Sequence, residues 1–358
     1  MLLTERCIIS SEQQFSIIMN TQYIVAEKGS ALTPTATAIP ITTSPTDVLI
    51  RLKAIAINPA DCKMIDHGHR VTSSGPVVAG LDGAGVVEAV GTGVTRFSVG
   101  DEVFAQFPAP EGGSFQDFAV VHESMVAKKP ATWSFEDAAS LPVCYLTALL
   151  SLGIGIKMPI PFIKDGPTFG LKPSSVLVLG GSSAVGASAI QLLRLALPTC
   201  LILATSSPTH HGHLVDTLGV DAAFDRSSSS LVSDVRQATP CSRGVDAIID
   251  VVGAGRTQKD IFDAFDSASA KRYAQVWTGD AETEVPDGVE STLFRVRDLP
   301  QLSGARDVLW ALERLLEEGK YKLPLPVRIV GRGFQGLEKG LELMRHGVSG
   351  EKLVVTMD

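Results

Sequence analysis

The run Val176-Leu177-Val178-Leu179-Gly180-Gly181-Ser182-Ser183-Ala184-Val185-Gly186 limits the fold more than any other part of the chain. Its first four residues are apolar and β-prone, and read as a strand buried on both faces. They run into a Gly/Ser turn and then into AVGASAIQLLRLA, whose apolar residues recur at helical spacing. The alternation continues downstream. LILAT at 201–205, AAFD at 222–225, VDAIIDVV at 245–252 and RYAQVWT at 272–278 read as strands, and helices are expected near 209–218, 228–238 and 257–269. Buried strands joined by crossover helices make a doubly wound parallel sheet, so an α/β Rossmann domain is expected over residues 176–290.

The flanking sequence has a different texture. From Thr21 to Lys129, short β-branched runs (TQYIVAE, DVLIRLKAIAI, GAGVVEAVG, DEVFAQF, FQDFAVVH) alternate with Gly and Pro turns, which predicts a β-rich domain. EDAASLPVCYLTALLSL then reads as helix, with Ser134 as its N-cap. Residues 153–175 are rich in Pro and Gly and read as an insertion, a loop or hinge at the domain boundary. Beyond the Rossmann segment come a helix near 303–319, the strand LPVRIV, a helix near 334–346 and KLVVTM, a tail expected to return to the first domain. The β-rich domain thus comprises 21–152 and 291–358, and residues 1–20 read as a disordered extension.

Composition removes several classes of function. A formal charge of −8 leaves no general attraction to phosphate backbones, so no nucleic-acid role is expected. Five scattered cysteines without a CxxC pair argue against a disulfide framework or zinc ribbon, and for a reducing, cytoplasmic setting. The apolar stretches 138–156 and 173–193 are broken by Pro142, Gly153 and Gly155, and by Gly180, Gly181 and Gly186, so no membrane span is expected. The N-terminal residues, with Glu5 and Glu12 among them, do not form a secretory signal.

The glycine loop carries chemistry. Glycines let backbone approach a pyrophosphate, and the free N–H groups of a helix start face it with a positive dipole end. Gly180, Gly181, Ser182, Ser183, Ala184, Val185 and Gly186 are therefore the expected dinucleotide contacts. An acid at the end of the second strand would bind the 2′-hydroxyl of NAD, but the sequence there is Thr205-Ser206-Ser207-Pro208, with no acid before Asp216. NADPH is expected instead. Ser206 and Ser207 would bond its 2′-phosphate and His210 or His211 add charge; for each, a helix-cap role is the alternative.

These features resemble the medium-chain dehydrogenase/reductase superfamily across nearly the whole chain. The resemblance rests on AIAINPADCKMIDHG (54–68), PVVAGLDGAGVVEAVGTGVTRFSVGDEVFA (76–105), GGSFQDFAVV (112–121), LPVCYLTALLSLG (141–153), the glycine loop, VDAIIDVVG (245–253) and SGEKLVV (349–355). Within the superfamily, the GGSSAVG loop, the SSP after the second strand and the Pro-rich insertion are most similar to fungal trans-acting enoyl reductases of polyketide pathways. The resemblance implies a GroES-like, partly open barrel beside the Rossmann domain, with the active site between them. Zinc members carry a Cys near the Asn58-Pro59-Ala60-Asp61 motif and a His where this chain has Leu81; Cys144 alone cannot assemble a tetrahedral site, so no metal is expected.

The same resemblance implies roles for single residues. Lys63 is expected at the nicotinamide ribose and the substrate, and Thr147 at the carboxamide or the substrate carbonyl, both as catalytic groups. Their other readings are a solvated lysine and a helix threonine bonded to the preceding turn. Asn58 is expected to fix backbone or touch ribose, Gly253 to approach the cofactor, Leu293 and Phe294 to line the nicotinamide side, and Lys352 to reach the cofactor from the returning tail. Asp61 and Asp82 read as structural acids, Tyr145 and Cys144 as core, and the His67/His69 pair as too few ligands for a metal.

Taken together, the resemblance implies a zinc-independent enoyl reductase using NADPH on an unsaturated acyl or enone substrate. That substrate is either free or carrier-bound, with a polyketide synthase as partner and a monomer or homodimer as the working form. Two alternatives remain: a free-standing quinone or enal oxidoreductase, and a non-catalytic NADPH-binding regulatory protein. An acidic carrier would need a local basic patch, and Arg295, Arg297, Arg306, Arg314, Lys320, Lys322 and Arg328 cluster in the C-terminal part, with helix-surface charge as the commoner explanation.

Overall fold

The computed structural model describes residues 19–68, 75–109, 112–279 and 281–357. Its first part consists of short strands: β1 (Asn20–Val25), β2 (Leu32–Thr37), β3 (Asp47–Ala56), then, after helix α1 (Pro59–His67), β4 (Val77–Val78) and β5 (Asp82–Val90). Strands β6 (Glu102–Gln106), β7 (Phe118–His122) and β8 (Val126–Lys128) follow. Strand β3 is the hub, pairing antiparallel with both β5 and β7. Its register with β5 slips at Leu49/Ile50 and again at Leu52/Ala54, bulges that bend the sheet toward a barrel. Gly85 is required there, because a Cβ on it would lie 2.0 Å from the Arg51 carbonyl oxygen. Asn20, expected to belong to a disordered extension, is instead buried in β1, with its Oδ1 accepting from the Phe118 N–H at 3.0 Å. The rest of that expected extension, through residue 18, lies outside the described residues.

Two helices lead out of this domain. In α2 (Phe135–Ala139) the expected cap is present, with Ser134 Oγ accepting from the Asp137 N–H at 3.0 Å. Helix α3 (Pro142–Leu150) is buried along its whole length and continues into a wider turn over Ser151–Gly155. The apolar stretch Phe135–Gly155 is long enough to cross a membrane, and nearly all of it is buried inside the fold as core. Of the two readings of segment 153–175, the structure has a loop packed into the core. Ile156, Met158, Ile160 and Ile163 are buried in the largest core cluster, so the prolines and glycines shape a packed loop.

The second domain holds β9 (Ser175–Leu179), α4 (Ala184–Ala196), β10 (Leu201–Ser206), β11 (Ala222–Asp225), α5 (Leu231–Gln237), β12 (Ala247–Asp250), β13 (Arg272–Val276) and β14 (Glu290–Phe294). All six strands are parallel, in the order β11-β10-β9-β12-β13-β14. The chain winds outward from β9 on one side and then jumps to the other, which opens a crevice at the carboxyl end of β9. The boundary expected at 290/291 moves. Glu290 through Phe294 pair in register with Arg272 through Val276, so β14 completes the Rossmann sheet. The helices expected near 209–218 and 257–269 are only short turns, Pro208–His210, His213–Thr217 and Lys259–Ala264.

The tail returns as expected. Helix α6 (Val308–Glu317) packs by β8, and β15 (Val327–Arg332), α7 (Gly333–His346) and β16 (Lys352–Thr356) complete the first domain. Strand β16 lies between β15 and β3, inside a seven-stranded sheet.

Candidate active site

A continuous cleft runs from the carboxyl end of β10, past the glycine loop, to the ends of β13 and α3. Gly180 has φ +83°, and a Cβ on Gly186 would lie 2.2 Å from the Gly180 carbonyl oxygen. The two glycines together let α4 start hard against β9, its first turn facing the crevice. Ser183 Oγ caps that helix by accepting from the Gly186 N–H at 3.0 Å, while Ser182, Ala184 and Val185 line the cleft. At the adjoining end is a cavity of about 240 Å³ whose walls include Ser182, Ser206 and Arg226. Ser206 Oγ donates to the Ser207 carbonyl at 2.9 Å, and Ser207 Oγ accepts from Thr209 Oγ1 at 3.3 Å. His210 Nε2 meets Ser349 Oγ at 3.0 Å, a link between the two domains.

In the middle of the cleft a polar network is buried under α1. Asn58 precedes α1, and its Oδ1 accepts from Lys352 Nζ at 2.5 Å while its Nδ2 donates to Asp82 Oδ2 at 3.0 Å. Asp82 also accepts from the Val143 N–H at 2.8 Å, and Lys352 Nζ lies 3.5 Å from Asp82 Oδ2. Asp61 Oδ2 accepts from the Asn58 N–H at 2.8 Å, but its Oδ1 is buried with no hydrogen-bond partner. Burial, with Asp82 close by, pushes the Asp61 carboxyl up to about 7. One ammonium faces two buried carboxyls, so holding the proton on Asp61 leaves Lys352 and Asp82 as a balanced pair.

Beyond this network lie the side chains that could meet a reactant. Lys63, on α1, and Thr147, on α3, border one cavity of about 170 Å³ together with Val185 and Thr278. Thr147 Oγ1 donates to the Val143 carbonyl at 2.6 Å, so its proton is spent and its lone pairs face the cleft. Past Thr147 the space opens into a cavity of about 430 Å³, walled by Leu81, Val143, Val276 and Trp277, with Arg295 and Arg297 at one side. Arg256, also on the cleft, donates from Nη1 to Thr278 Oγ1 at 2.9 Å. No group of three His, Cys, Asp or Glu among the described residues is arranged to hold a metal.

Residues 44–131 match the alcohol dehydrogenase GroES-like domain. The chain is 33% identical over 343 residues to lovC, the enoyl reductase component of the lovastatin nonaketide synthase of Aspergillus terreus, covering 87% of this chain and 89% of lovC. It is 31% identical over 339 residues to the trans-enoyl reductase pyiC of Pyricularia grisea, covering 88% of each. The chain belongs with them to the medium-chain dehydrogenase/reductases. The crystal structure of the CurK enoyl reductase, 21% identical, has the same fold, with a TM-score of 0.75 over 95% of this chain and 99% of that one.

In this medium-chain reductase the residues expected at the site fall into three groups. The glycine loop, Ser206, Lys63 and Thr147 do border the cleft. Gly253, with φ +71°, stands at a turn that Asp250 organises, its N–H donating to Asp250 Oδ1 at 2.7 Å. Asn58 and Lys352 also reach the cleft, but their polar groups are engaged with each other and with Asp82. Phe294 and Leu293 form the third group. Phe294 is fully buried in the core beneath β14, and the cavity is bordered instead by residues 295–297 and 276–278, while Leu293, half-buried, is not among its walls. Within the basic run Arg314 pairs with Asp307, Lys320 with Glu318 and Arg328 with Glu351. His69 lies outside the described residues. Sequence reasoning passes over Arg226, which immediately follows the β11 run AAFD, because it seeks a discriminating residue only after β10.

Proposed function

We propose that this protein is a zinc-independent, NADPH-dependent enoyl reductase acting on an α,β-unsaturated acyl thioester carried by a polyketide synthase. The observation that carries the reading is the continuity of the cleft. A glycine-loop crevice leads directly into an apolar cavity whose charged wall residues, among those described, are Arg295 and Arg297. Kinship with lovC and pyiC supports both the reaction and the carrier partner.

The residues divide the work by position. Arg226 at the end of the crevice suits a 2′-phosphate, and Asp225 is turned away, its Oδ1 accepting from Ser227 N–H and Oγ. Bound in such a crevice, the reduced nicotinamide supplies a hydride. Thr147, with its proton committed, accepts from an amide N–H and so orients rather than polarises. Lys63 brings a cation to the stretch shared with Val185 and Thr278, the cofactor side of the cleft. The donor set does not suit zinc. Leu81 is an apolar wall, and Asp82 already faces the Lys352 ammonium.

The test is NADPH oxidation with an unsaturated acyl thioester beside a simple quinone, with a metal chelator present. Chelator-resistant turnover of the thioester is expected. Turnover of the quinone alone, or loss of activity on chelation, would overturn the reading.

A further inference from the structure

Reduction of an unsaturated thioester places negative charge on the carbonyl oxygen, and something in the cavity has to meet it. Hydride adds to the β-carbon, the C=C electron pair moves toward the carbonyl to give an enolate, and a proton from water completes the α-carbon. Neither residue expected for the oxygen is suited to it. Thr147 donates to Val143, and Lys63 borders the cofactor side of the cleft and not the larger cavity. In the larger cavity the cations are Arg295 and Arg297.

The two arginines differ. Arg297 is exposed, whereas Arg295 is half-buried and its guanidinium carbon lies 4.8 Å from the centre of the Trp277 ring. Stacking on an aromatic face fixes the guanidinium without neutralising it. The nearest acid in sequence, Asp298, is turned to backbone, accepting from the Arg295 N–H at 2.8 Å. Among the described residues Arg295 has no ion pair. A cation held on an aromatic face in an apolar cavity, with no ion pair to a described residue, suits an oxyanion and needs no reorganisation during the reaction.

We propose that Arg295, held on Trp277, is the catalytic cation that stabilises the enolate oxygen of the substrate. The assignment rests on the enoyl-reductase reading, and its test separates the two. Wild type, Arg295→Gln and Arg295→Lys are compared with NADPH and a short unsaturated N-acetylcysteamine thioester, which carries no phosphate. In parallel, the oxidised-cofactor complex of each is titrated with an acetoacetyl thioester, whose enolate has its own near-ultraviolet band. Arg295→Gln is expected to lower kcat at least about tenfold, with KM and NADPH affinity within about twofold, and Arg295→Lys to recover part of the loss. The wild-type complex is expected to raise the bound enolate band at neutral pH, and Arg295→Gln to lose it. An unchanged kcat with an unchanged enolate band, or a loss expressed wholly in NADPH affinity, overturns the role of Arg295. A wild type that forms the enolate band yet reduces no unsaturated thioester overturns the enoyl-reductase reading and keeps the enolate site.

Discussion

Asp61 bonds the Asn58 N–H through one oxygen and leaves the other buried and unpartnered. Its carboxyl is held up to about 7, against 3.8 for an unburied aspartate, so the folded chain binds this proton more tightly than the unfolded chain. The contribution of Asp61 to stability is therefore fully present below about pH 4, is lost as pH rises toward 7 at up to about 1.4 kcal/mol for each pH step of one, and levels off above that. Asp61→Asn keeps an acceptor for the Asn58 N–H and cannot ionise. Urea unfolding at pH 5 and pH 8 is expected to give a smaller loss of stability on going to pH 8 in the variant than in wild type. Arg226 supports a second prediction: under the proposed use of NADPH, Arg226→Gln should lower the NADPH-to-NADH ratio of kcat/KM values by at least about tenfold. The residues legible in the sequence are those whose role depends on backbone, such as Gly180 and Gly186. Lys352 is harder to read, because nothing in SGEKLVV discloses that its ammonium is engaged by Asn58 and Asp82, nearly a whole chain away.

Strands β9, β10 and β12 are readable because burial on both faces leaves a run of apolar residues in each. The helices around them are less so. Around 208–217 a proline start and a wider-pitched turn replace the expected single helix, and periodicity cannot tell these from a regular one. The wide turn Ser151–Gly155 is likewise invisible, since it straddles the end of the expected helix at Leu152 and the start of the Pro- and Gly-rich stretch. Its packing depends on Gly155, where a Cβ would come 2.5 Å from the Ala274 Cβ on β13. Gly155→Ala must push this turn off the sheet, and a loss of about 1–3 kcal/mol in urea unfolding is expected. Unchanged stability would mean that the turn can shift without cost.

Buried polar groups tie the returning tail into the first domain. Lys352 on β16 binds Asn58 at the start of α1 and Asp82 on β5, and Asp82 in turn accepts from the Val143 N–H on α3. Lys352→Met leaves a carboxylate buried without its counter-charge, and unfolding by urea is expected to show a loss of about 3–5 kcal/mol. Adding Asp82→Asn should restore part of it, since the stranded charge goes too; a double variant that is simply the sum of the singles would show that the pair is not coupled. The overall architecture is legible because one glycine loop and the strands after it dictate a Rossmann sheet. The edges of that sheet are not, since β14 is half-buried and reads no differently from barrel sequence. The place of β16 between β15 and β3 has a further consequence. Val354 lies opposite Ala56, with the whole Rossmann segment between them in sequence. A ribosome making this chain releases every residue of the Rossmann sheet before the barrel can acquire that interior strand. The nascent Rossmann half can therefore fold while β3 waits with an open edge, a long-range pairing that is slow to form and exposed to aggregation until β16 emerges.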